Sequence, residues 1–162
     1  MSASRWMGLA TLSVLFATRA LAQSPAAVGS WTTIDDETKK PKSVVSIYEE
    51  DGRLFGKIDK LFLAPNEPAN PVCDKCEGSL KNKPILGMVI LRNLKRDGDG
   101  WSGGTVLDPA NGKTYKVKLA LEDGGKRLKV RGYVGFSLLG RTQHWVRATQ
   151  AAAPVLAPVV PQ

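Results

Sequence analysis

The sequence predicts an all-β protein, built as a single antiparallel up-and-down β-barrel of about eight strands. Four dipeptides of the type that favours tight hairpin turns punctuate the chain. Between them apolar and polar side chains alternate, as in strands with one buried face. Residues 28–147 contain no convincing amphipathic helix. The turn dipeptides are Asp51-Gly52, Asp97-Gly98, Asn111-Gly112 and Asp123-Gly124.

The alternation is clearest in the second half of the chain. In residues 113–122, Val117 and Leu119 face one way and Lys116 and Lys118 the other. Because successive strands are joined by short hairpins, a closed barrel is favoured over a two-sheet sandwich, which usually needs crossover connections. The predicted strands are residues 29–34, 43–49, 53–62, 84–94, 100–107, 113–122, 126–134 and 141–147.

The first residues have the features of a signal peptide. Arg5 gives a positive start, residues 6–17 are mostly apolar, and Ala20-Leu21-Ala22 is a small-x-small cleavage pattern. A membrane anchor is the alternative, but the apolar run is too short to span a bilayer. We therefore expect a signal peptide at 1–22, cleavage after Ala22, and an exported protein without a transmembrane segment.

The remaining chain divides into a short linker, one domain and a tail. Residues 23–27 form the linker, and residues 28–147 have the length of one small domain with a single core. Residues 148–162 are rich in Ala, Pro and Val without strand or helix periodicity, and proline disfavours both elements. We interpret them as a flexible tail that is able to tether the protein.

The mature chain is basic. Without residues 1–22 it has 21 Lys and Arg against 15 Asp and Glu, a net charge of +6. Export, and the lack of an arginine-rich arm or an aromatic-basic motif, argue against nucleic acid as a partner. Anionic envelope components, such as lipid phosphates or acidic glycans, fit this charge. An ordinary solvated surface fits it equally well.

Several motifs in one order resemble the bacterial family called Domain of Unknown Function 2147. They are VGSWTTIDDETKKPKSVVSIYE, NPVCDKC, KNKPILGM, LDPANGKTYKVKLAL and LKVRGYVGFSLLGRTQHW, and the resemblance extends over essentially all of residues 28–147. The resemblance implies a small exported protein of Gram-negative bacteria, and thus the periplasm. It also implies a calycin-like (lipocalin-related) barrel, and it brings no established activity.

Gly29-Ser30-Trp31 at the start of the first strand is similar to the Gly-x-Trp signature of lipocalins. In lipocalins an arginine of the last strand packs over the tryptophan as a cation–π contact near the base of the barrel. The resemblance assigns that part to Arg147, with Arg141 as the second choice. We therefore expect Trp31 to be buried against Arg147.

The only two cysteines, Cys73 and Cys76, lie in the stretch PVCDKC. A thioredoxin-like redox centre needs the pair at a helix N-terminus, and no helical pattern follows it here. A zinc site needs two more strong ligands, whereas His144 is the only histidine and lies far along the chain. Export favours a disulfide that stiffens a long Pro-rich connection from Ala64 to Pro84.

The stretch RGYVGFSLLGRTQHW interleaves glycines with aromatic residues. It suggests a pocket mouth lined by Tyr133, Phe136 and Arg141, and a barrel-closing bend with core aromatics is the alternative. Ser137 lacks the Gly-x-Ser-x-Gly context of a nucleophile, and nothing places a partner beside His144. We expect no catalytic residues, no metal site and no cofactor.

Two classes of function follow. In the first, the barrel binds a small apolar or amphiphilic molecule, with the tail of the ligand in the barrel interior and Arg141 or a loop lysine on its head group. In the second, a filled barrel contacts an anionic envelope component through its basic strand faces. The volume of the barrel interior distinguishes them, since barrels of eight strands are either filled or hold one small ligand.

Overall fold

The computed structural model of the chain describes residues 26–148. Eight strands form one closed antiparallel barrel, in which each strand pairs with the next and the last pairs with the first. The predicted fold is confirmed. The strands are β1 (Gly29–Ile34), β2 (Pro41–Glu50), β3 (Arg53–Leu61), β4 (Val89–Asp97), β5 (Gly100–Asp108), β6 (Lys113–Glu122), β7 (Arg127–Tyr133) and β8 (Gly140–Arg147).

The predicted start of the fourth strand is wrong. We expected it at residue 84, whereas β4 begins at Val89. Pro84 and Ile85 have the composition of a strand but pair within the preceding connection: Pro84 bridges to Val72, and the Ile85 N–H donates to the Pro71 carbonyl. The connection from β3 to β4 is therefore longer than predicted.

The predicted Asp-Gly turns form the hairpins. In the β2–β3 turn, Asp51 and Gly52 have φ of 50° and 69°. In the β6–β7 connection, Asp123 and Gly124 have φ of 52° and 63°. Two consecutive residues with positive φ match the right-handed twist of the flanking strands, which explains this choice of residues.

The barrel interior is filled by side chains. On β6 and β7 the alternate residues Val117, Leu119, Leu128 and Val130 are buried, as the sequence pattern predicts. Large side chains from other strands complete the core, so the described barrel encloses a packed apolar interior. These are Trp31, Ile47, Leu54, Ile58, Leu91, Leu94, Trp101 and Trp145.

The alternating strand directions give the barrel two distinct ends. The β1–β2, β3–β4, β5–β6 and β7–β8 connections emerge at one end, which we call the lid end. The opposite end, the base, carries the other three hairpins and residues 26–28.

Some predicted regions fall beyond the described residues. The predicted signal peptide 1–22, residues 23–25 of the predicted linker 23–27 and residues 149–162 of the predicted tail 148–162 lie there. Within residues 26–148, no helix has the length and apolar character needed to cross a membrane.

Candidate functional site

Part of the long β3–β4 connection folds back over one end of the barrel. Residues 71–85, which we call the lid, form a small antiparallel hairpin. The Cys73 N–H donates to the Lys83 carbonyl at 2.9 Å, and the Ile85 N–H donates to the Pro71 carbonyl at 2.9 Å. These backbone bonds give an irregular Pro-rich segment a defined shape.

The disulfide lies at the inner side of the lid. Cys73 and Cys76 are bonded, with a Cα–Cα distance of 5.3 Å, which confirms the predicted disulfide. Cys73 is 0% exposed and Cys76 is 2% exposed, and both residues belong to the hydrophobic core. The bond therefore stiffens the connection and also anchors the lid to the barrel interior.

The lid packs against the turn between β5 and β6. The Cys73 Sγ lies 3.5 Å from the Pro109 carbonyl oxygen. Because a disulfide sulfur carries no hydrogen, this is a packing contact. The Lys75 Nζ donates to the Ala110 carbonyl at 3.2 Å. At Gly112, with φ of +72°, a Cβ would lie 1.9 Å from the Lys75 carbonyl oxygen, so only glycine permits this approach.

A cleft of about 410 Å³ opens between the lid and the β5–β6 hairpin. Its volume lies within the range of roughly 300–1,000 Å³ typical of ligand pockets. Leu80, Leu107 and Val134 give it an apolar wall, and Lys113 supplies a cation at its rim. The complete lining is Cys76, Glu77, Leu80, Leu107, Gly112, Lys113, Thr114, Tyr115 and Val134.

None of the three candidate ligand residues lines this cleft. Tyr133 is the half-buried last residue of β7, and Phe136 is 82% exposed in the β7–β8 loop. Arg141 forms an ion pair with Asp36 of the β1–β2 loop. Among their neighbours, Val134 does line the cleft. A role of these three residues in ligand binding stays a prediction.

At the base, Trp31 and Arg147 form a cation–π contact. They are register partners of β1 and β8, and the Arg147 Cζ lies 4.1 Å from the centroid of the Trp31 ring. Trp31 is fully buried, and its Nε1–H donates to the Ala27 carbonyl at 2.7 Å. The contact has the geometry that the Gly-x-Trp resemblance implies.

Arg147 also joins separate segments of the base. Its Nε donates to the Gly125 carbonyl at 2.8 Å, and its Nη2 and Nη1 donate to the Ala26 and Val28 carbonyls at 2.8 Å and 3.3 Å. Gly29 has φ of +125°, and a Cβ there would lie 2.9 Å from the Arg147 Nη1. The glycine of the motif thus leaves room for the guanidinium.

Arg131 is a structural residue of the lid end that no sequence signal reveals. Its Nε donates to the Ser137 carbonyl at 2.7 Å and its Nη2 to the Leu138 carbonyl at 3.0 Å. Its Nη1 donates to the Thr142 hydroxyl at 2.8 Å. The sequence presents Arg131 only as an outward residue of a strand, and no motif marks it as the residue that holds the next loop.

One carboxylate has a clearly perturbed environment. The backbone N–H of Thr38, 2.8 Å from the Asp35 Oδ1, and the Thr38 hydroxyl lower the pKa of Asp35 below its usual 3.8. This contact stabilises the β1–β2 loop. Residues 26–148 contain no group of three or more His, Cys, Asp or Glu side chains placed to hold a metal ion.

Comparison with known proteins agrees with this architecture. Protein HP1028 from the human pathogen Helicobacter pylori, which is described as belonging to the lipocalin family, has a similar structure with a TM-score of 0.65. The two chains are 21% identical, over 76% of this chain and 83% of that chain, so the likeness shows a shared fold. No curated protein matches this chain in sequence.

A family model described as "Uncharacterized protein conserved in bacteria (DUF2147)" matches residues 29–147. The match extends from the first residue of β1 to the last residue of β8. The chain therefore belongs to the DUF2147 family.

Proposed function

We propose that this protein is a non-enzymatic binding protein, exported to the periplasm, that takes a small apolar or amphiphilic molecule at the lid end. The cleft of about 410 Å³ between the lid and the β5–β6 hairpin carries the proposal, because it combines an apolar wall with a cation at the rim. The disulfide supports export, since such bonds persist in oxidising compartments.

The packed interior is the outcome expected for the second class of function, and it argues against the predicted position of a ligand tail inside the barrel. The site proposed here is therefore the cleft outside the packed interior. Ile47, Leu91 and Leu94 occupy the interior, whereas Leu80, Leu107 and Val134 offer apolar surface at the cleft. An apolar tail packs on that surface, and an anionic head group accepts charge-assisted hydrogen bonds from the Lys113 Nζ. The lid supplies one wall and the β5–β6 hairpin the other.

A fluorescent fatty-acid titration tests this function. Thr114→Trp fills the cleft from an exposed strand position, and Thr105→Trp adds the same bulk on the outer face of β5 as a control. We expect saturable binding to the wild type and the control, and at least tenfold weaker binding to Thr114→Trp. No saturable binding by the wild type, or equal affinities in all three proteins, would refute the proposal.

Two further variants locate the head group. Lys113→Ala is expected to weaken the binding of a fatty acid more than the binding of the matching fatty alcohol, because only the acid carries a charge. Arg141→Ala tests the residue predicted from the sequence. If Arg141→Ala lowers the affinity for the fatty acid and Lys113→Ala does not, the head group lies near Arg141 and Asp36 instead of at the cleft rim.

The second candidate function is contact with an anionic lipid or glycan through a basic outer face. Lys116, Lys118 and Arg131 face outward on β6 and β7, and Lys118 and Arg131 are register partners. The acidic Glu122 lies at the far end of β6, towards the base. A filled barrel presents these side chains on a rigid surface.

Co-sedimentation with anionic vesicles at low and high salt tests the basic face. Lys116→Glu/Lys118→Glu is expected to lower binding severalfold, and binding by the wild type should fall as salt rises. Lys57→Glu/Lys60→Glu on the outer face of β3 makes the same change in net charge as a control. Equal losses in both variants would show that net charge alone matters.

A further inference from the structure

We infer that the β7–β8 loop, residues 134–139, docks on a membrane by inserting its apolar side chains into an anionic lipid surface. This inference rests on the second proposed function. It adds the class of partner, a lipid bilayer, and the segment that contacts it.

The loop exposes apolar side chains to an unusual degree. Val134 is 67% exposed, Phe136 82%, Leu138 88% and Leu139 73%. The other exposed large apolar side chains of residues 26–148 are only 38–50% exposed. Contiguous exposed apolar groups in a folded protein mark an interaction site, whereas scattered single residues do not.

The exposed side chains belong to a structured loop. The Arg131 guanidinium binds the carbonyls of Ser137 and Leu138, and the Leu139 N–H donates to the Phe136 carbonyl at 3.0 Å. The backbone is therefore held while the apolar side chains point to solvent. Such preorganisation lowers the entropy lost when the loop meets a partner.

Basic side chains lie directly behind the loop. Lys116 is the register partner of Tyr133, the last residue before the loop, and Lys118 is the partner of Arg131. Both lysines are exposed, and neither forms an ion pair with another described residue. An apolar tip with adjacent cations is the pattern of proteins that bind the interface of anionic membranes.

The same charges argue against the other occupants. A two-fold dimer through this loop would bring two copies of the basic face close together, and like charges repel. A glycan offers anionic groups but no apolar phase for Phe136 and Leu138. A lipid surface satisfies both features. Because Val134 also lines the cleft, docking places the cleft rim at the bilayer, where amphiphiles partition.

Vesicle binding by the full chain tests the inference. The variant Phe136→Ser/Leu138→Ser/Leu139→Ser changes only exposed side chains, so the barrel should keep its circular dichroism spectrum and melting temperature. Val28→Ser/Val146→Ser, which changes exposed residues of the base and β8, serves as the control. With vesicles of phosphatidylglycerol and phosphatidylethanolamine, we expect at least tenfold weaker binding for the loop variant and no change for the control.

A label at the loop gives a second readout. The native cysteines are bonded to each other, so Leu138→Cys provides a single site for an environment-sensitive fluorophore. We expect a blue shift and protection from an aqueous quencher with anionic vesicles, and neither with phosphatidylcholine vesicles. An unshifted label on vesicle-bound protein would overturn insertion.

The outcomes separate this inference from the proposed functions. If the loop variant binds vesicles like the wild type while Lys116→Glu/Lys118→Glu does not, the basic-face function stands and insertion is wrong. If the loop variant only converts a dimer into a monomer, the loop is a self-association surface and the lipid inference is wrong. Absence of vesicle binding by the wild type would refute the insertion inference and the lipid form of the basic-face function, while the fatty-acid titration still decides ligand binding at the cleft.

Discussion

The two ends of the barrel are closed by different means. At the base, one arginine binds three backbone carbonyls and covers Trp31, and both residues belong to strands that pair with each other. At the lid end, a long irregular connection is fixed by a buried disulfide and by backbone packing at Gly112. The base thus depends on side chains placed by strand register, and the lid end on contacts between distant segments.

The largest expected effect is at the base. Trp31→Ala should lower the free energy of unfolding by about 3–5 kcal/mol, because it removes a fully buried aromatic side chain. The half-exposed Leu86 of the β3–β4 connection is the comparison, and Leu86→Ala should cost less than about 1 kcal/mol. Chemical denaturation measures both. A loss below about 1 kcal/mol for Trp31→Ala would contradict the closure described for the base.

The next effect separates two arginines of the same strand. Arg147→Ala should lower the free energy of unfolding by about 2–3 kcal/mol, because it removes the cation–π contact with buried Trp31 and the part-buried hydrogen bond to the Gly125 carbonyl. The exposed Ala26 and Val28 carbonyls bind water instead. Arg141→Ala removes a side chain that is 67% exposed, so it should lower the free energy of unfolding by less than about 1 kcal/mol. Thermal unfolding checks the pair, and equal losses would show that the base does not depend on this guanidinium.

A glycine pair sharpens the comparison at the lid end. Gly112 and Gly124 both have positive φ, but a Cβ meets the lid backbone only at Gly112. Gly124→Ala should lower the free energy of unfolding by about 1–2 kcal/mol from backbone strain alone. Gly112→Ala should lower it further, because its Cβ also clashes with the lid backbone. Hydrogen exchange at the Cys73 amide should accelerate only in Gly112→Ala. Equal exchange rates in the two variants would mean that the lid does not depend on this contact.

The smallest effect concerns the turn at Asp35. Because hydrogen bonds from Thr38 lower the pKa of Asp35 in the folded state, its contribution to stability is present above its ordinary pKa of 3.8 and is lost as pH falls through the lower folded value. An NMR titration should show a midpoint below 3.8, and Thr38→Ala should raise it. Because alanine keeps the backbone N–H, which is the larger cause, the increase should be partial, and an unchanged midpoint would show that the Thr38 hydroxyl does not contribute.

The sequence predicts the barrel well because its signals are local. Alternation placed Val117, Leu119, Leu128 and Val130 on the buried face, and the Asp-Gly pairs marked hairpins. Each of these properties depends on neighbouring residues in the chain. The same logic failed at Pro84 and Ile85, because a short extended segment has the same composition whether it pairs with the sheet or within the lid.

The lid end could not be predicted in this way. The wall formed by Leu80 and Leu107 exists only after the lid has folded onto the β5–β6 turn. No sequence signal near either residue indicates that these two segments come into contact. Phe136 was expected at a pocket mouth, and its 82% exposure depends on Arg131 holding the loop from a neighbouring strand. Sequence patterns identify such loops as unusual but do not give their direction.

The buried disulfide has a kinetic consequence. A small thiol reagent cannot reach Cys73 or Cys76 while the lid is packed, since the two residues are 0% and 2% exposed. Reduction therefore requires the lid to lift from the β5–β6 turn, and at low reagent concentration its rate reports how often the lid is open. The rate of disulfide reduction is therefore a measure of lid opening, and it should fall when a ligand in the cleft holds the lid against the barrel.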